Sequence, residues 1–354
     1  MRILIDIGHP AHVHFFHQPI RKLLEHGHEV LITSRAKEFA LDLLSELGLE
    51  HILISSQRGK GIIPLGIELI KRNSALFRIV KKHRPTVMAG IGGVFIAQVG
   101  KLTGVPSLVF YDTENARLQN ALTYPFASCV FAPRCYSSWL PKGRHIKYRG
   151  YHELSYLRPN YFQADKERAL ENGLVAVGDT FLLRLVSWQA SHDIGEGGWT
   201  TVLLKQVVEK LSLLGKVIIS SEGALGSEFE PYRYPGKVSE IHHVMAFCRA
   251  FIGESATMAS ECAVLGVPGI YAATTGRGYT DEQERLYQLV KNIRKLDWEH
   301  LEPAIDGLLA QPPARWQEQR QALLADTIDV AAFVAESIET FPAPLKAYNH
   351  AVES

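Results

Sequence analysis

The sequence has little net charge, few cysteines and no long apolar run, and each shortage argues against a class of protein. Lys and Arg number 38 against 37 Asp and Glu, a formal charge of +1, so no nucleic-acid partner is expected. Four cysteines without C-x-x-C spacing argue against a disulfide scaffold and a structural zinc site. Asp6 interrupts the first apolar run, and no uncharged run reaches the ~18 residues of a membrane span. A cytoplasmic location is therefore expected.

The length of 354 residues predicts two domains, because a domain holds roughly 150 residues. Short apolar runs alternate with helical stretches along the whole chain, as in residues 3–33, which is the pattern of parallel α/β units. We predict an α/β fold of two Rossmann-like parallel-sheet domains facing across a cleft. The expected divisions are residues 1–160, 161–325 and a C-terminal helix and tail, 326–354, that packs back on the first domain. Near the C-terminus, the pattern predicts helices over 281–292 and 314–340.

The clearest chemical signal lies between residues 250 and 268, where a strand, a turn of small residues, a helix start and a second strand are predicted. Small or hydroxyl-bearing side chains at such a turn let a phosphate approach the backbone N–H groups at the positive helix end. These residues are Gly253, Ser255, Ala256 and Thr257. Glu261, further along the helix, could accept hydrogen bonds from two ribose hydroxyls. The alternative is that Ser255 only caps the helix and Glu261 is a solvated helix residue.

This segment resembles the nucleotide-sugar site of GT-B glycosyltransferases, particularly the peptidoglycan N-acetylglucosaminyltransferase, and of non-hydrolysing UDP-N-acetylglucosamine 2-epimerases. The resemblance implies a GT-B fold, with UDP phosphates near Ser255, Ala256 and Thr257 and the ribose on Glu261. Three segments, Gly-Glu-Ser-Ala-Thr-Met-Ala-Ser-Glu at 253–261, Ser-Trp-Gln-Ala-Ser-His-Asp at 187–193 and Gly-His-Pro-Ala-His-Val-His-Phe-Phe at 8–16, resemble an uncharacterised prokaryotic family of predicted glycosyltransferases. That resemblance spans nearly the whole chain.

Histidines are concentrated in the first loop and the helix after it, following Gly8. An imidazole titrates near neutrality, which suits a base that deprotonates a sugar hydroxyl. The resemblance to the peptidoglycan transferase favours His12 as this base, although the run of loop glycines of that family is absent here. His9 either contacts substrate or orders the loop, and the two further histidines, at 14 and 17, are helix-face residues. A metal site formed by these histidines lacks a carboxylate partner nearby, so no metal is expected.

Two further segments carry candidate acceptor-side residues. Gly92 and Gly93 follow a predicted strand and open a helix, so their backbone N–H groups could bind acceptor oxygens or a phosphate. The transferase family has a similar turn, and its acidic and amide-bearing loop resembles residues 112–115. By that resemblance Glu114 is a catalytic candidate and Asn115 lines the acceptor side. The alternative for both is capping of the next helix.

The second half contributes three more binding candidates. Ser191 and His192 follow its first strand, where they could hold the diphosphate and offset charge on the leaving group. Arg277 stands in a Gly-flanked loop near the expected sugar site. The adjacent histidines 242 and 243 are interpreted as structural.

Residues 60–84 mix apolar and basic side chains in a pattern that fits either a packed helix with a charged outer face or a membrane-surface patch. We favour the packed helix, because the sheet also needs its apolar residues. The membrane alternative would bring the enzyme to a lipid-linked acceptor at the inner face of the membrane.

The resulting hypothesis is a metal-independent glycosyltransferase that takes a UDP-sugar donor and a glycan or lipid-linked acceptor in cell-surface polysaccharide biosynthesis. No cofactor is expected beyond the UDP-sugar substrate. The first alternative is a UDP-sugar 2-epimerase, which would need more carboxylates than the few that the sequence places near the site. The second is a nucleotide-sugar-binding protein without turnover.

Overall fold

The computed structural model describes residues 1–36, 39–55, 62–186, 198–221 and 223–353. The strands are β1 (Arg2–Ile7), β2 (Glu29–Arg35), β3 (His51–Ser55), β4 (Val87–Ile91), β5 (Ser107–Phe110), β6 (Cys129–Pro133), β7 (His145–Tyr148), β8 (Asp179–Leu185), β9 (Gly215–Ser221), β10 (Ala250–Gly253), β11 (Gly269–Ala272) and β12 (Val290–Ile293).

The α-helices are α1 (Pro10–Glu25), α2 (Ala40–Glu46), α3 (Ile62–His83), α4 (Val94–Thr103), α5 (Arg117–Thr123), α6 (Leu154–Leu157), α7 (Lys166–Glu171), α8 (Thr201–Ser212), α9 (Ile241–Met245), α10 (Ala256–Leu265), α11 (Gly278–Glu282), α12 (Trp298–Leu309), α13 (Pro313–Asp326), α14 (Val330–Thr340) and α15 (Ala343–Glu353). The chain forms two compact units, one of residues 1–156 with 328–354 and one of residues 157–327.

Unit 1 contains a seven-stranded sheet in the order β3-β2-β1-β4-β5-β6-β7, and every neighbouring pair is parallel. The order reverses between β1 and β4. Parallel strands that carry helices on both faces end at the same edge, and ligands of such sheets bind beyond that edge where the order reverses. The loop after β1 and the loop after β4 are therefore the expected ligand-binding loops of unit 1.

Unit 2 contains a five-stranded parallel sheet in the order β12-β11-β10-β8-β9. Its order reverses between β8 and β10. In the inner strand β8, the apolar side chains of Phe181, Leu182, Leu183 and Leu185 are all buried, as expected for a strand covered on both faces. The loops that follow β8 and β10 thus lie at the reversal point of this sheet.

The helix predicted over 281–292 is wrong in its second part, because Val290–Ile293 form the edge strand β12. Val290 and Ile293 are buried and pair in parallel register with Gly269 and Ala272 of β11. The available sheet edge provides hydrogen bonds and burial that a local pattern does not reveal. The helical region predicted over 314–340 consists of two helices, α13 and α14, that belong to different units.

Candidate functional site

The turn after β10 ends in a well-defined helix start. Ser255 is the N-cap of α10, with extended backbone, and its Oγ accepts a hydrogen bond from Met258 N at 3.2 Å. The first backbone N–H groups of a helix have no partner within it, and the cap occupies only one of them. The amides of Ala256 and Thr257 thus stand at the positive end of α10, next to the reversal point of the sheet. The capping role considered as an alternative for Ser255 is observed, and the cap uses the amide of Met258 rather than those of Ala256 and Thr257.

Glu254, between the strand and the cap, fixes the backbone on both sides of the β8 loop. Its carboxylate accepts from Val186 N at 2.9 Å and from Trp199 N at 3.2 Å. The Trp199 indole in turn donates to Ala272 O at 3.1 Å. One carboxylate therefore holds two segments of backbone at the carboxyl edge of the unit 2 sheet. No sequence signal indicates this role, because both partners are backbone amides.

Replacing Glu254 with glutamine should lower the free energy of unfolding by about 1–3 kcal/mol, because an amide NH₂ cannot accept a hydrogen bond and one backbone N–H loses its partner. The measurement is the urea unfolding midpoint. Glu209→Gln, at an exposed position that is 3.9 Å from Lys205, is the matched control and should change the midpoint little. Equal midpoints for the Glu254 variant and the wild type would refute this role.

Glu261 is buried against a histidine rather than solvated, so the alternative of a surface residue is wrong. Its side chain is only 7% exposed, and its Oε1 lies 3.0 Å from Nε2 of His242, whose side chain is 9% exposed. The neighbouring His243 has a structural role, since its Nδ1 accepts from Asp165 N at 3.0 Å. Burial lowers the pKa of His243.

Two of the other predicted binding residues of unit 2, Gly253 and Arg277, have defined surroundings in the structure. Gly253 leaves no space for a side chain, because a Cβ there would lie 2.4 Å from Arg184 O in β8. Arg277 occupies the N-cap position of α11, and its Nη1 donates to Gly276 O at 2.9 Å. Ser191 and His192 lie outside the described residues.

In unit 1, the histidines of the first loop hold the start of α1. His9 is the N-cap, and its Nδ1 accepts from Ala11 N at 3.2 Å. Nδ1 of His12 accepts from Gly8 N, also at 3.2 Å. A neutral imidazole that accepts at Nδ1 carries its proton on Nε2. His12 in this conformation therefore presents a donor at Nε2, whereas a general base needs an unprotonated nitrogen.

The loop after β4 has a clear reason for its two glycines. Both have left-handed backbone, with φ of +69° at Gly92 and +54° at Gly93. A Cβ would lie 2.1 Å from the Gln119 amide nitrogen at the first position and 2.5 Å from a Val109 methyl at the second. Gly92 N already donates to Phe110 O at 3.1 Å. Of the pair, Gly93 at the start of α4 is the better placed to offer its amide to a ligand.

A histidine and an aspartate that the sequence did not connect meet in unit 1. His152 Nδ1 lies 3.1 Å from Asp112 Oδ2, and the His152 ring packs on Phe15 with centroids 4.5 Å apart. A carboxylate can only accept, so the neutral ring carries its proton on Nδ1 and has a lone pair on Nε2. Within the described part of the chain, that Nε2 is buried without a hydrogen-bond partner. Burial lowers the pKa of His152, and the Asp112 carboxylate offsets this only in part.

Two other buried ionisable groups, Tyr148 and Glu153, lie close to this pair in space or in the chain. Glu153 is 2% exposed. Burial first, and then the nearby Asp112 and Glu153 carboxylates, raise the pKa of the Tyr148 hydroxyl. Glu114 is half-buried and Asn115 is exposed in the loop before α5. The helix is not capped by an Asn115 side-chain bond in the described structure, where Ala116 is the N-cap residue.

The helix α3, which carries the apolar and basic pattern, packs one face against the core of unit 1. Leu76 and Val80 are buried in the core. Arg72 is also buried, with its guanidinium 3.8 Å above the Phe95 ring and 3.7 Å from Asp6 Oδ2. Arg72 thus belongs to an internal ion pair rather than to a charged outer face. Across the described residues, no helix is long and apolar enough to cross a membrane, and no cluster of three or more His, Cys, Asp or Glu is arranged to hold a metal.

Solved structures of low sequence identity share this fold over almost the whole chain. A UDP-GlcNAc 2-epimerase from Neisseria meningitidis bound to UDP-GlcNAc matches with a TM-score of 0.70 at 11% identity, over 96% of this chain and 100% of that chain. The spinosyn rhamnosyltransferase SpnG complexed with thymidine diphosphate matches with a TM-score of 0.64 at 14% identity, over 96% and 100%. The UDP-GlcNAc 2-epimerase from Methanocaldococcus jannaschii in complex with UDP-GlcNAc and UDP matches with a TM-score of 0.64 at 15% identity, over 88% and 94%. Together with the two parallel sheets, these likenesses confirm the predicted GT-B fold.

Sequence relatives lead to a family rather than to an activity. An uncharacterised protein of Methanocaldococcus jannaschii is 25% identical over 283 residues, which are 76% of this chain and 80% of the relative. A family model described as "Protein of unknown function (DUF354)" matches residues 1–282. The expected relationship to an uncharacterised prokaryotic family is thereby confirmed, and the chain belongs to the DUF354 family.

Proposed function

We propose that this protein is a metal-independent glycosyltransferase that uses a UDP-sugar donor in cell-surface glycan or polysaccharide biosynthesis. The observation that carries the proposal is the arrangement at the reversal point of the unit 2 sheet. There the capped start of α10 offers backbone amides to a diphosphate, and the same helix carries the Glu261 carboxylate as an acceptor for ribose hydroxyls. The solved proteins with this fold include ones bound to UDP, UDP-GlcNAc or thymidine diphosphate, which supports a nucleoside diphosphate as ligand.

In this proposal unit 1 supplies the proton-transfer groups. The acceptor hydroxyl loses its proton to a base as its oxygen bonds to the anomeric carbon and the bond from that carbon to the diphosphate breaks. The tautomers favour His152, oriented by Asp112, as the base and His12 as a hydrogen-bond donor to a substrate oxygen. Since Nε2 of His152 is buried, the side chains that cover it must move before a substrate can reach it. Positive ends of helices, α10 above all, offset the charge that develops on the diphosphate.

A UDP-sugar 2-epimerase is the second candidate, and one observation favours it. The sequence placed few carboxylates near a site, but Glu153 follows His152 directly in the chain and is buried, and its carboxylate and that of Asp112 both lie near the Tyr148 hydroxyl. Two carboxyl groups and a buried imidazole suit proton transfer at a sugar carbon, which needs no acceptor. Incubation with UDP-GlcNAc in D₂O, followed by NMR of the sugar C2 position, separates the two candidates. Deuterium at C2 without any acceptor would favour the epimerase, and acceptor-dependent release of UDP would favour the transferase.

Saturating UDP should stabilise the wild-type protein, and Glu261→Ala should abolish most of this effect. A ligand at 100 times its dissociation constant adds about 2.7 kcal/mol of stability, which a thermal-shift measurement detects. Ser260→Ala is the matched control, because Ser260 is buried on the same helix and accepts instead from the Gln283 amide at 2.7 Å. That variant should melt earlier than the wild type and still respond to UDP. A folded wild-type protein that responds to no nucleoside diphosphate would overturn the proposal, and binding without turnover would favour a sugar-nucleotide-binding protein.

A further inference from the structure

The contact between His242 and Glu261 joins two helices of unit 2 within its core. His242 lies on α9, and Glu261 lies on α10, the helix whose start is capped by Ser255. The 3.0 Å distance joins Nε2 of the imidazole to Oε1 of the carboxylate. More than nine-tenths of each side chain is buried. A contact of this kind is costly to bury unless both groups are satisfied, so the pair constrains both side chains.

The direction of this hydrogen bond follows from chemistry. A carboxylate oxygen has no proton to give, so Nε2 of His242 donates and Oε1 of Glu261 accepts. A glutamate has three side-chain torsions, and an unrestrained carboxylate would lose that freedom each time a ligand binds. Because His242 already holds Oε1, the orientation of the second oxygen, Oε2, is set before the ligand arrives.

The position of His242 is itself fixed by its neighbours. The adjacent His243 accepts from Asp165 N at 3.0 Å, and its ring packs on Phe162 with centroids 4.9 Å apart. Phe162 also approaches the His242 ring edge-on, at 6.2 Å between centroids. The two histidines are equally buried, and they have different partners: His242 contacts Glu261, and His243 contacts the backbone N–H of Asp165.

We infer that His242 is a positioning residue that orients Glu261 toward a ribose diol, so that the site selects ribonucleoside diphosphates over their 2′-deoxy counterparts. The inference rests on the proposed function and deepens it by naming the class of nucleotide. A carboxylate held in one orientation gains a charge-assisted hydrogen bond from the 2′-hydroxyl of ribose, and 2′-deoxyribose has no group that replaces it. A preference of roughly 10- to 100-fold is expected from one hydrogen bond to a charged group.

The test is calorimetric titration of UDP and 2′-deoxy-UDP into the full-length protein. The wild type should prefer UDP by the factor above. His242→Ala should reduce the preference to within about threefold, chiefly by weakening UDP binding, because one fixed hydrogen bond to the charged carboxylate no longer orients it. His242→Gln, whose amide N–H reaches the position of Nε2, should restore most of the preference. His243→Ala is the matched control and should lower the melting temperature while the preference is retained.

The outcomes separate the inference from the function on which it rests. Equal binding of both nucleotides by the wild type, or an unchanged preference in His242→Ala, would overturn the inference and leave a nucleotide site in place. Binding of neither nucleotide would overturn the proposed function and the inference with it. If His242→Ala does not fold, His242→Asn takes its place, because its amide is polar but too short to reach Glu261. Retained preference in that variant also overturns the inference.

Discussion

His152→Asn should lower kcat by roughly 10²–10⁴, the usual contribution of a general base, and should leave the binding of UDP unchanged. Asparagine can still donate to Asp112 from its amide, but it has no counterpart of Nε2. The measurement is release of UDP from the donor once an acceptor is found, or deuterium exchange at C2 if the protein is an epimerase. Since the proposed nucleotide contacts are in unit 2, the loss should appear in kcat rather than in the affinity for UDP.

The control for this prediction is His12→Asn. The side-chain oxygen of asparagine can accept from Gly8 N in place of Nδ1, so the loop is preserved while Nε2 is removed. We expect a smaller loss of kcat from this variant than from His152→Asn. A larger loss of kcat in His12→Asn than in His152→Asn would indicate that His12 is the base, as the resemblance to the peptidoglycan transferase implied.

Comparing His152→Asn with the wild type should also reveal how His152 makes the free energy of unfolding depend on pH. The pKa of His152 in the folded protein lies below its usual value of 6.5 because of burial, so the unfolded chain binds this proton more strongly. The free energy of unfolding should therefore fall as the pH is lowered below about 6.5, until the pH passes the folded-state pKa. Above that range the ring is neutral in both states and contributes no pH dependence. His17 and His243 have lowered pKa values as well, so the difference between wild type and His152→Asn isolates the contribution of His152.

Gly253→Ala should destabilise unit 2 by about 3 kcal/mol, because its new methyl group has no space. The Cβ would lie 2.4 Å from the carbonyl oxygen and 2.8 Å from the nitrogen of Arg184, and neither backbone atom can move without parting β10 from β8. The displacement would also shift Glu254 and Ser255, so UDP binding should weaken. Scanning calorimetry with and without UDP measures both effects.

Gly226→Ala is the control for this substitution within the same unit. Among the residues that the structure describes, a Cβ at that position meets only the Phe229 ring, at an ordinary contact distance of 3.7 Å. Its melting temperature should stay close to that of the wild type. If Gly253→Ala also had the melting temperature of the wild type, the close approach of β10 and β8 could not be the reason why position 253 is a glycine.

The sequence by itself determined the fold class and the position of the strand-to-helix turn at Ser255. Alternating apolar runs and helices require a parallel sheet with helices on both faces, and small residues after a strand mark the helix start at Ser255 because the capping chemistry is local. The same local logic failed at residues 290–293, where pairing with β11 decided the conformation.

Only the tertiary structure decided which side chains meet. Asp112 and His152 are 40 positions apart, and His242 and Glu261 are 19 apart on different helices, so no spacing rule connects them. It also decided the tautomers: a backbone amide at Nδ1 makes Nε2 of His12 a donor, and a carboxylate at Nδ1 makes Nε2 of His152 an acceptor. A sequence records which residues can ionise or donate, but the partner that fixes the proton is chosen by the packing of elements distant along the chain.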